Sequence, residues 1–205
     1  MFISLLNMVK VIAFSGPVAS GKSTIMEAVY KRLSSSHTVH IIREYIDALP
    51  DANDKLTAYL NGQLSAYAFQ NYILDYFDAS SKLINDYDYV LCERCPLEGL
   101  KFFARLDVKN KRMTEDEYKK LIDRATSLTF YPNPSDAKIM SIDTDLLTPS
   151  DITDEIISYV DEVDIVQLKA NPTTIKERIR QRGRQCEIDA YSDEYLKFMC
   201  DMYFC

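Results

Sequence analysis

Glycine, histidine, tryptophan and long apolar segments are scarce or missing in this 205-residue chain, which has five glycines, two histidines and no tryptophan. No apolar run approaches the roughly 20 residues that a membrane-spanning helix needs. The start of the chain, MFISLLNMVK, lacks a basic segment and a small-residue cleavage site. It is predicted to be an overhang before the first strand, not a signal peptide. We therefore expect a cytoplasmic protein with no membrane segment.

The chain also lacks a net positive charge and a regular pattern of cysteine pairs. The net charge is −7, whereas a duplex-binding protein usually presents a basic face, so no polymeric nucleic acid is expected as a partner. The five cysteines are odd in number and irregularly spaced, which argues against a disulfide framework. Cys92 and Cys95 form a CxxC with no second pair to complete a zinc site, and are predicted to be structural thiols. We assign no catalytic role to His37 or His40.

Four short β-rich runs alternate with helical patterns along the chain. They are nearly continuous apolar runs, as expected of parallel strands that are covered on both faces. The runs are VKVIAFS (9–15), HTVHIIRE (37–44), YDYVLCE (87–93) and VDIVQLKA (163–170). Strands that alternate with helices predict right-handed βαβ units, and hence an α/β fold with a parallel sheet.

Helical patterns and one irregular segment complete the predicted architecture. Helices are predicted over residues 23–33, 55–85, 114–128 and 172–181. A Thr114–Glu117 capping box opens the third, and Asn171 followed by Pro172 opens the last. The loop-rich insert comprises residues 129–162, with a candidate strand at KIMSID (138–143) and an acidic helix over 152–162. A single domain over residues 1–205 is predicted, because 47% hydrophobic composition supplies one core at this length.

Two of the few glycines lie five positions apart in GPVASGKST, residues 16–24. This stretch follows a predicted strand, precedes a predicted helix and fits the phosphate-loop pattern GxxxxGK[ST]. Such a loop points its backbone amides at phosphate oxygens, and the helix N terminus adds a positive dipole. Lys22 would lie near the β- and γ-phosphates, and Ser23 would offer its hydroxyl to Mg²⁺. The nucleotide-binding residues predicted here are Gly16, Ala19, Ser20, Gly21, Lys22, Ser23 and Thr24.

Charged residues follow the second and third predicted strands. Glu44 would lie at a strand end beside the phosphate loop, where a carboxylate can accept a proton from an attacking hydroxyl. Glu93 and Arg94 end the third strand, where the carboxylate suits Mg²⁺ and the guanidinium suits a transferred phosphoryl group. A guanine-reading NKxD is missing, since NDKL at residues 53–56 lacks the final Asp.

A basic cluster, KERIRQRGRQCE, comes late in the chain. It has four arginines within seven residues of a chain whose net charge is −7. Arg178 and Arg182 share one helical face, and Arg184 follows Gly183, where a helix can break into a loop. Because a kinase needs mobile cations that close over the phosphates, these three arginines are predicted to form a lid that binds the nucleotide.

Taken together, these motifs resemble the deoxynucleoside kinase family, the group of deoxycytidine, deoxyguanosine and mitochondrial-type thymidine kinases. The family's Glu-Arg-Ser motif is present as residues 93–95, with Cys95 in place of Ser, and its lid RIxxRGRxxE as residues 178–187. Its Tyr and Phe-Gln elements are similar to Tyr59 and residues 69–70. The resemblance covers about 9–128 and 163–200. It implies a P-loop kinase fold of about five parallel strands with an Arg-rich lid, and ATP with Mg²⁺ as phosphate donor.

The resemblance also implies roles for single residues. Glu44 would be the general base for the sugar 5′-hydroxyl, and Arg94 would hold that hydroxyl and the transferred phosphoryl group, with Lys22 as the third catalytic residue. Tyr59 and Glu187 would bind the 3′-hydroxyl. The implied substrate-binding residues are Glu44, Tyr59, Phe69, Gln70, Phe77, Arg94, Gly99, Phe103 and Glu187. The metal would contact Ser23 and Glu93.

At the base, the resemblance implies that Gln70 pairs with the base edge and that Phe103 stacks on the ring. Deoxycytidine-preferring members carry a charged Arg–Asp pair where this chain has Phe77 and Gly99, which favours thymidine or a broad pyrimidine range. Leu49 falls about where the family often has Trp.

Two further expectations follow from the resemblance. The family usually continues after the lid into a fifth strand and helix, and residues 138–160, KIMSIDTDLLTPSDITDEIISYV, have that strand-then-helix character before the lid. We predict that residues 138–143 supply the edge strand. Because the family is often homodimeric, a homodimer is expected.

Three functions compete at this point. The first is a deoxynucleoside kinase. The second is a nucleoside monophosphate kinase resembling thymidylate kinase, whose Arg-Glu-Pro element is similar to Arg43 and Glu44, and which would need further cations for the acceptor phosphate. The third is a non-catalytic nucleotide-binding subunit. A preference for thymidine monophosphate over thymidine would favour the second, and tight nucleotide binding without turnover would favour the third.

Overall fold

Five parallel strands form a single sheet in the computed structural model, which describes residues 9–82 and 87–204. The strands are β1 (Lys10–Ser15), β2 (Val39–Ile42), β3 (Tyr89–Glu93), β4 (Ile139–Asp143) and β5 (Ile165–Lys169). They pair in the order β2-β3-β1-β5-β4, and each pair is parallel. The fold is therefore the predicted α/β architecture. Most of the predicted N-terminal overhang, residues 1–8, lies outside the described residues.

Helices follow the strands along the chain. They are α1 (Lys22–Leu33), α2 (Tyr45–Ala48), α3 (Ala52–Leu60), α4 (Ala66–Lys82), α5 (Pro96–Gly99), α6 (Arg105–Lys109), α7 (Glu115–Ser127), α8 (Pro149–Ser158), α9 (Pro172–Arg182), α10 (Gln185–Ala190) and α11 (Asp193–Phe204). A π-helical turn, Leu100–Ala104, joins α5 to α6, so residues 96–109 are helical without a break. Single wide turns of this kind occur frequently at functional sites.

The sheet is covered on both faces, which explains the nearly continuous apolar runs. On one face, Phe14 of β1 packs with Met26 of α1 and Ile156 of α8. On the other, Ala13 packs with Phe77 of α4. All five residues of β3 are buried. A central strand of this kind cannot alternate apolar with polar residues, because neither of its faces meets water.

The strand register brings the carboxyl ends of three strands to one edge of the sheet. Phe14 pairs with Glu93 across β1 and β3, and Ile42 pairs with Cys92 across β2 and β3. The loop after β1, the end of β3 and Glu44 just beyond β2 therefore lie side by side. In open α/β sheets, ligands bind at this edge.

The prediction of a single helix over residues 55–85 is wrong. It forms two helices, because α3 ends at Leu60 and α4 begins at Ala66. Gly62, in the turn between them, has φ 72°, a left-handed conformation that the interior of a right-handed helix does not admit. Residues 83–85 of the predicted helix lie outside the described residues.

The segment 129–162 contains a strand and a helix as well as loops. β4 pairs with β5 in parallel, with Ile142 opposite Leu168, so the predicted edge strand at residues 138–143 is confirmed. α8 follows and packs against α1. It begins at Pro149, three residues before the predicted helix, because Thr148 and Asp151 form a capping box at its start.

Local signals elsewhere are confirmed. The Thr114 hydroxyl accepts a hydrogen bond from the Glu117 amide, and Asn171 Oδ1 accepts one from the Thr174 amide. Cys92 and Cys95 are buried free thiols. Within residues 9–82 and 87–204, no helix is both long and apolar enough to cross a membrane.

Candidate active site

Two glycines shape the loop that joins β1 to α1. Gly16 has φ 135°, and a Cβ at this position would lie 2.4 Å from the Leu168 carbonyl oxygen, so no larger residue fits. Gly21 has φ 98° and caps the N terminus of α1. The loop therefore leads directly into a 12-residue helix, where backbone amides and the helix dipole favour an anion.

Side chains of this loop suit phosphate. Lys22 is buried, and its Nζ donates to the Pro17 carbonyl oxygen at 2.9 Å. Burial and the nearby Arg94 charge lower the pKa of Lys22 to about 8. The buried Ser20 Oγ has no hydrogen-bond partner in the described part of the chain. A buried hydroxyl needs a partner, and a phosphate oxygen would supply one.

Ser23 and Glu93, the two residues predicted to contact the metal, are hydrogen-bonded to each other. Ser23 Oγ donates to the two carboxylate oxygens of Glu93 at 2.9 and 3.2 Å, and Lys22 Nζ lies 3.8 Å from Oε1. Burial, and then the charge of Glu44, raise the pKa of Glu93. No group of three or more acidic, Cys or His side chains able to hold a metal occurs among the described residues. A hydroxyl and a carboxylate fit Mg²⁺, which usually takes its other ligands from phosphates and water.

The phosphate loop opens into a cavity of about 490 Å³, which we call the donor cavity. Of the predicted nucleotide-binding residues, those that line it are Ala19, Ser20, Gly21, Lys22, Ser23, Thr24, Arg178 and Arg182. Gly16 lies at the start of the loop, where its carbonyl accepts a hydrogen bond from Arg94. Thr144, Leu147 and Pro149, which follow β4, also line this cavity, although no sequence signal marked them.

The arginines of the predicted lid divide between two places. Arg178 Nη1 donates to Thr144 Oγ1 at 3.2 Å and to the Ala19 carbonyl oxygen at 3.4 Å, beside the phosphate loop. Arg182 Nη2 donates to Glu187 Oε2 at 2.6 Å. These contacts join helix α9 to the phosphate loop, to Thr144 after β4 and to α10.

Arg184 is the exception to the lid prediction, because it does not line the donor cavity. It pairs with Asp47 and Glu187 at the edge of a second cavity. The cause is Gly183, whose φ of 73° ends α9 and turns the chain away from the face that carries Arg178.

This second cavity, which we call the acceptor cavity, also has a volume of about 490 Å³. It is lined by all the predicted substrate-binding residues: Glu44, Tyr59, Phe69, Gln70, Phe77, Arg94, Gly99, Phe103 and Glu187. Tyr191 and Tyr195 line it as well, with ring centroids 5.1 Å apart, and were not predicted. Residues from both halves of the chain thus form one pocket.

The two cavities meet at Glu44 and Glu93, which line both of them. Glu44 Oε1 accepts a hydrogen bond from Arg94 Nε at 3.0 Å. Burial raises the pKa of Glu44, but the charges of Arg94 and Lys22 outweigh it and hold the pKa below its usual value. Glu44 is therefore a carboxylate at neutral pH, located where the donor and acceptor cavities join.

Arg94 is held by several groups at once. Its φ of 69° is unusual for a residue with a side chain. Nη1 donates to the Gly16 carbonyl oxygen at 2.9 Å, to Glu98 Oε1 at 3.1 Å and to Tyr203 Oη at 2.5 Å, and Tyr203 Oη donates to Glu98 Oε1 at 3.0 Å. No acceptor among the described residues pairs with Nη2, so these two N–H groups can serve a ligand. Sequence reasoning missed Glu98 and Tyr203.

The base end of the acceptor cavity is mostly apolar. Gln70 is buried and lines the cavity, and no hydrogen bond of its side chain is found among the described residues. Phe77 contacts Tyr131, with ring centroids 5.1 Å apart, and the Phe103 ring centroid lies 5.3 Å from Arg94 Cζ. A planar apolar ring system that carries hydrogen-bonding groups on one edge would fit these walls.

Comparison with known proteins agrees with this geometry. A family model described as deoxynucleoside kinase matches residues 12–142, which include the phosphate loop, Glu44 and Arg94. The matched range also contains Tyr59 and Gln70. A search of curated protein sequences finds no match.

Solved structures similar to this chain include deoxyadenosine kinase from M. mycoides in three bound forms. With bound dATP it has 19% sequence identity and a TM-score of 0.62, covering 95% of this chain and 82% of the other. With bound dCTP the identity is 18% and the TM-score 0.61, with 95% and 81% covered. With the products dCMP and a flexible dCDP, the identity is 20%, the TM-score 0.61 and the coverage 95% and 81%. At this identity the likeness shows the fold.

The family match spans more than half of the chain and contains the phosphate loop and the two charged residues that follow β2 and β3. The five-stranded parallel sheet agrees with the fold of the similar structures. This chain belongs to the deoxynucleoside kinase family.

Proposed function

We propose that this protein transfers the γ-phosphoryl group of ATP to the 5′-hydroxyl of a 2′-deoxynucleoside. One observation carries the proposal: two cavities of equal volume, about 490 Å³ each, meet at Glu44 and Glu93. One cavity has a phosphate loop and cations. The other has apolar walls around Gln70 and Phe77, and the charged side chains Arg112, Arg184 and Glu187 elsewhere in its lining, each of which takes part in an ion pair. A charged donor and a neutral acceptor can therefore meet at one carboxylate.

The donor cavity suits ATP with Mg²⁺. The loop amides and Lys22 would hold the phosphates, and Arg178 and Arg182 would neutralise further charge. Ser23 and Glu93 would contact Mg²⁺, which lowers the barrier by neutralising charge on the β- and γ-phosphate oxygens. Thr144 and Leu147, which follow β4, also line the donor cavity and are candidates to contact the base of the donor.

Glu44 is the proposed general base. Its carboxylate would accept the proton of the 5′-hydroxyl as the 5′ oxygen forms a bond to the γ-phosphorus and the bond to the β-bridging oxygen breaks, releasing ADP. The low pKa of Glu44 keeps it ready to accept a proton at neutral pH. Arg94, whose Nη2 is free of partners in the described chain, would donate to the transferred group.

The acceptor is proposed to be a pyrimidine deoxynucleoside, with thymidine accepted or a broad base range. Phe77 and Gly99 bring no charge to the base end of the cavity. Gln70 lines this cavity without a side-chain hydrogen bond to a described residue, so its amide can present either its oxygen or its NH₂ group to the base. That freedom suits thymine as well as cytosine. The similar structures are called deoxyadenosine kinase, so purines belong in the test.

The experiment is a phosphate-transfer assay with ATP and Mg²⁺, using the four deoxynucleosides and thymidine monophosphate as acceptors. Turnover of a nucleoside that is lost in Glu44→Gln supports the proposal. Turnover of the monophosphate alone would favour a nucleoside monophosphate kinase, and ATP binding without turnover of any acceptor would favour a non-catalytic subunit. A monophosphate kinase would need Arg43 to bind the acceptor phosphate. Arg43 instead pairs with Glu27 and is not among the described residues that line either cavity.

Three further properties are part of the proposal. A homodimer is expected from the family resemblance and can be measured by light scattering on the eluted protein. A cytoplasmic location is expected from the sequence and can be tested by fractionation. One functional domain over residues 1–205 is expected, because site residues come from α1, α9 and α10 alike. Limited proteolysis of the intact protein would test it.

A further inference from the structure

A fully buried carboxylate contacts Tyr59, a residue that lines the acceptor cavity, and has no part in the phosphate chemistry proposed above. Asp107, on α6, is 0% exposed. Burial raises its pKa, whereas its contacts with Tyr59 and Arg112 oppose that shift. A buried carboxylate is costly unless it is paired and hydrogen-bonded, so these partners call for an explanation.

Both partners of Asp107 also contact each other. The Tyr59 hydroxyl donates to Asp107, with 2.8 Å to Oδ1 and 3.1 Å to Oδ2. Arg112 Nη2 lies 2.6 Å from Asp107 Oδ1 and donates to Tyr59 Oη at 2.9 Å. The three side chains therefore form a closed hydrogen-bonded triangle.

The Tyr59 ring is fixed as well as its hydroxyl. It stacks on Phe69, with centroids 4.5 Å apart and an interplanar angle of 9°. Arg112 Cζ lies 5.0 Å from the ring centroid, within the range of a cation–π contact. Tyr59 and Phe69 both line the acceptor cavity, and Asp107 does not appear among the described lining residues. Asp107 can therefore influence a ligand only through its neighbours.

A tyrosine hydroxyl has one proton and two lone pairs. The proton of Tyr59 points to Asp107, and one lone pair accepts from Arg112. One acceptor position remains for a ligand in the cavity. A group that binds there must supply its own proton.

We propose that Asp107 and Arg112 fix Tyr59 as a hydrogen-bond acceptor, which makes Asp107 a positioning residue that selects acceptors whose sugar carries a donating 3′-hydroxyl. The inference rests on the proposed function, because it takes the ligand to be a nucleoside with its 3′ position at Tyr59. It goes further in assigning the direction of the hydrogen bond. A 2′-deoxynucleoside meets the requirement, and a 2′,3′-dideoxynucleoside does not.

A 3′-fluoro substituent separates the two possible directions. Fluorine can accept a hydrogen bond weakly but cannot donate one, so an acceptor-only Tyr59 would oppose it. The expected order of affinity is therefore 3′-hydroxyl first, then 3′-hydrogen, then 3′-fluorine. Glu187, the other residue implied at the 3′-hydroxyl, is a carboxylate and would oppose fluorine in every variant. The direction at Tyr59 is therefore read from the change in the ratio of 3′-fluoro to 3′-deoxy affinity between the wild type and Asp107→Leu.

The experiment uses the full-length protein with thymidine, 3′-deoxythymidine and 3′-deoxy-3′-fluorothymidine, and with the corresponding deoxyadenosine series. Dissociation constants come from calorimetry, and kcat/KM values come from the transfer assay. In the wild type we expect a preference of about fivefold for the 3′-hydroxyl over 3′-hydrogen, the size of one net hydrogen bond. The 3′-fluoro compound should be weaker still.

The variants are Asp107→Leu, Tyr59→Phe and the double variant, with Asp107→Asn as the conservative change in case the Leu variant does not fold. Asp107→Leu releases the Tyr59 proton for the ligand, so the 3′-fluoro compound should gain relative to the 3′-deoxy compound. Asp107→Asn should shift the same ratio by less. In the Tyr59→Phe background, Asp107→Leu should leave the ratio unchanged, because its effect passes through the hydroxyl.

The ratios separate this inference from a structural role. If Asp107→Leu weakens all three ligands equally, Asp107 serves only stability and the inference is wrong. A wild type that binds the 3′-fluoro compound better than the 3′-deoxy compound also overturns it. Failure to bind or phosphorylate any nucleoside would instead overturn the proposed function, and this inference with it.

Discussion

Replacing Glu44 by Gln tests the proposed general base most directly. The change keeps the size of the side chain and an oxygen that can accept from Arg94 Nε, now 3.0 Å from Glu44 Oε1. Arg94 also keeps its three Nη1 acceptors, at 2.5 to 3.1 Å. The arginine should therefore stay in place while the group that accepts the proton is lost.

The size of the effect follows from these contacts. General base catalysis contributes roughly 10²- to 10⁴-fold to a rate, so kcat should fall by that factor. Weakening one charge-assisted hydrogen bond should lower the free energy of unfolding by only about 1 kcal/mol. The KM for ATP should change little, since Glu44 touches the donor cavity only where it meets the acceptor cavity.

Glu98→Gln is the matched control. It makes the same chemical change on the same guanidinium, since Glu98 Oε1 accepts from Arg94 Nη1 at 3.1 Å. Glu98 does not line either cavity in the described chain, so it cannot take the proton. We expect a loss of about threefold to tenfold, through the position of Arg94 alone.

The assay is steady-state phosphate transfer to the preferred nucleoside, with the unfolding transition of each variant measured in parallel. The reasoning is refuted if Glu44→Gln keeps kcat within about threefold of the wild type, which is less than a general base contributes. It is also refuted if Glu98→Gln loses as much activity as Glu44→Gln, because the effect would then come from Arg94.

Three further predictions concern the phosphate loop and the base pocket. Because the pKa of Lys22 is lowered to about 8, kcat/KM for ATP should fall as the pH rises through that value and Lys22 loses its charge, and Lys22→Arg should move this limb to higher pH. Gly16→Ala should lower the free energy of unfolding by about 2–3 kcal/mol, measured by denaturant, since φ is 135° and the new Cβ would lie 2.4 Å from the Leu168 carbonyl oxygen. The paired change Phe77→Arg with Gly99→Asp should raise the ratio of deoxycytidine to thymidine turnover, and an unchanged ratio would mean that these positions do not contact the base.

The phosphate loop and the two carboxylates beyond β2 and β3 could be predicted because their signals are local. A glycine pattern between a strand and a helix determines the local backbone conformation of the phosphate loop. Parallel strands bring their carboxyl ends to one edge of the sheet, whatever segments connect them. The same reasoning explains the Thr114 and Asn171 caps, whose partners are three residues away. It fails at Gly62, where one residue divides a helical pattern that is otherwise continuous.

The sequence by itself determined the sheet, the phosphate loop and many of the residues that line the two cavities. Tertiary structure decided what holds them. Tyr203 reaches Arg94 from 109 positions away, and Asp107 reaches Tyr59 from 48 positions away. Arg184 does not line the donor cavity, because α9 ends at Gly183 and the chain changes direction there. Short-range patterns encode backbone conformation, whereas the pairing of distant buried polar groups depends on how the helices pack, which residue spacing does not record.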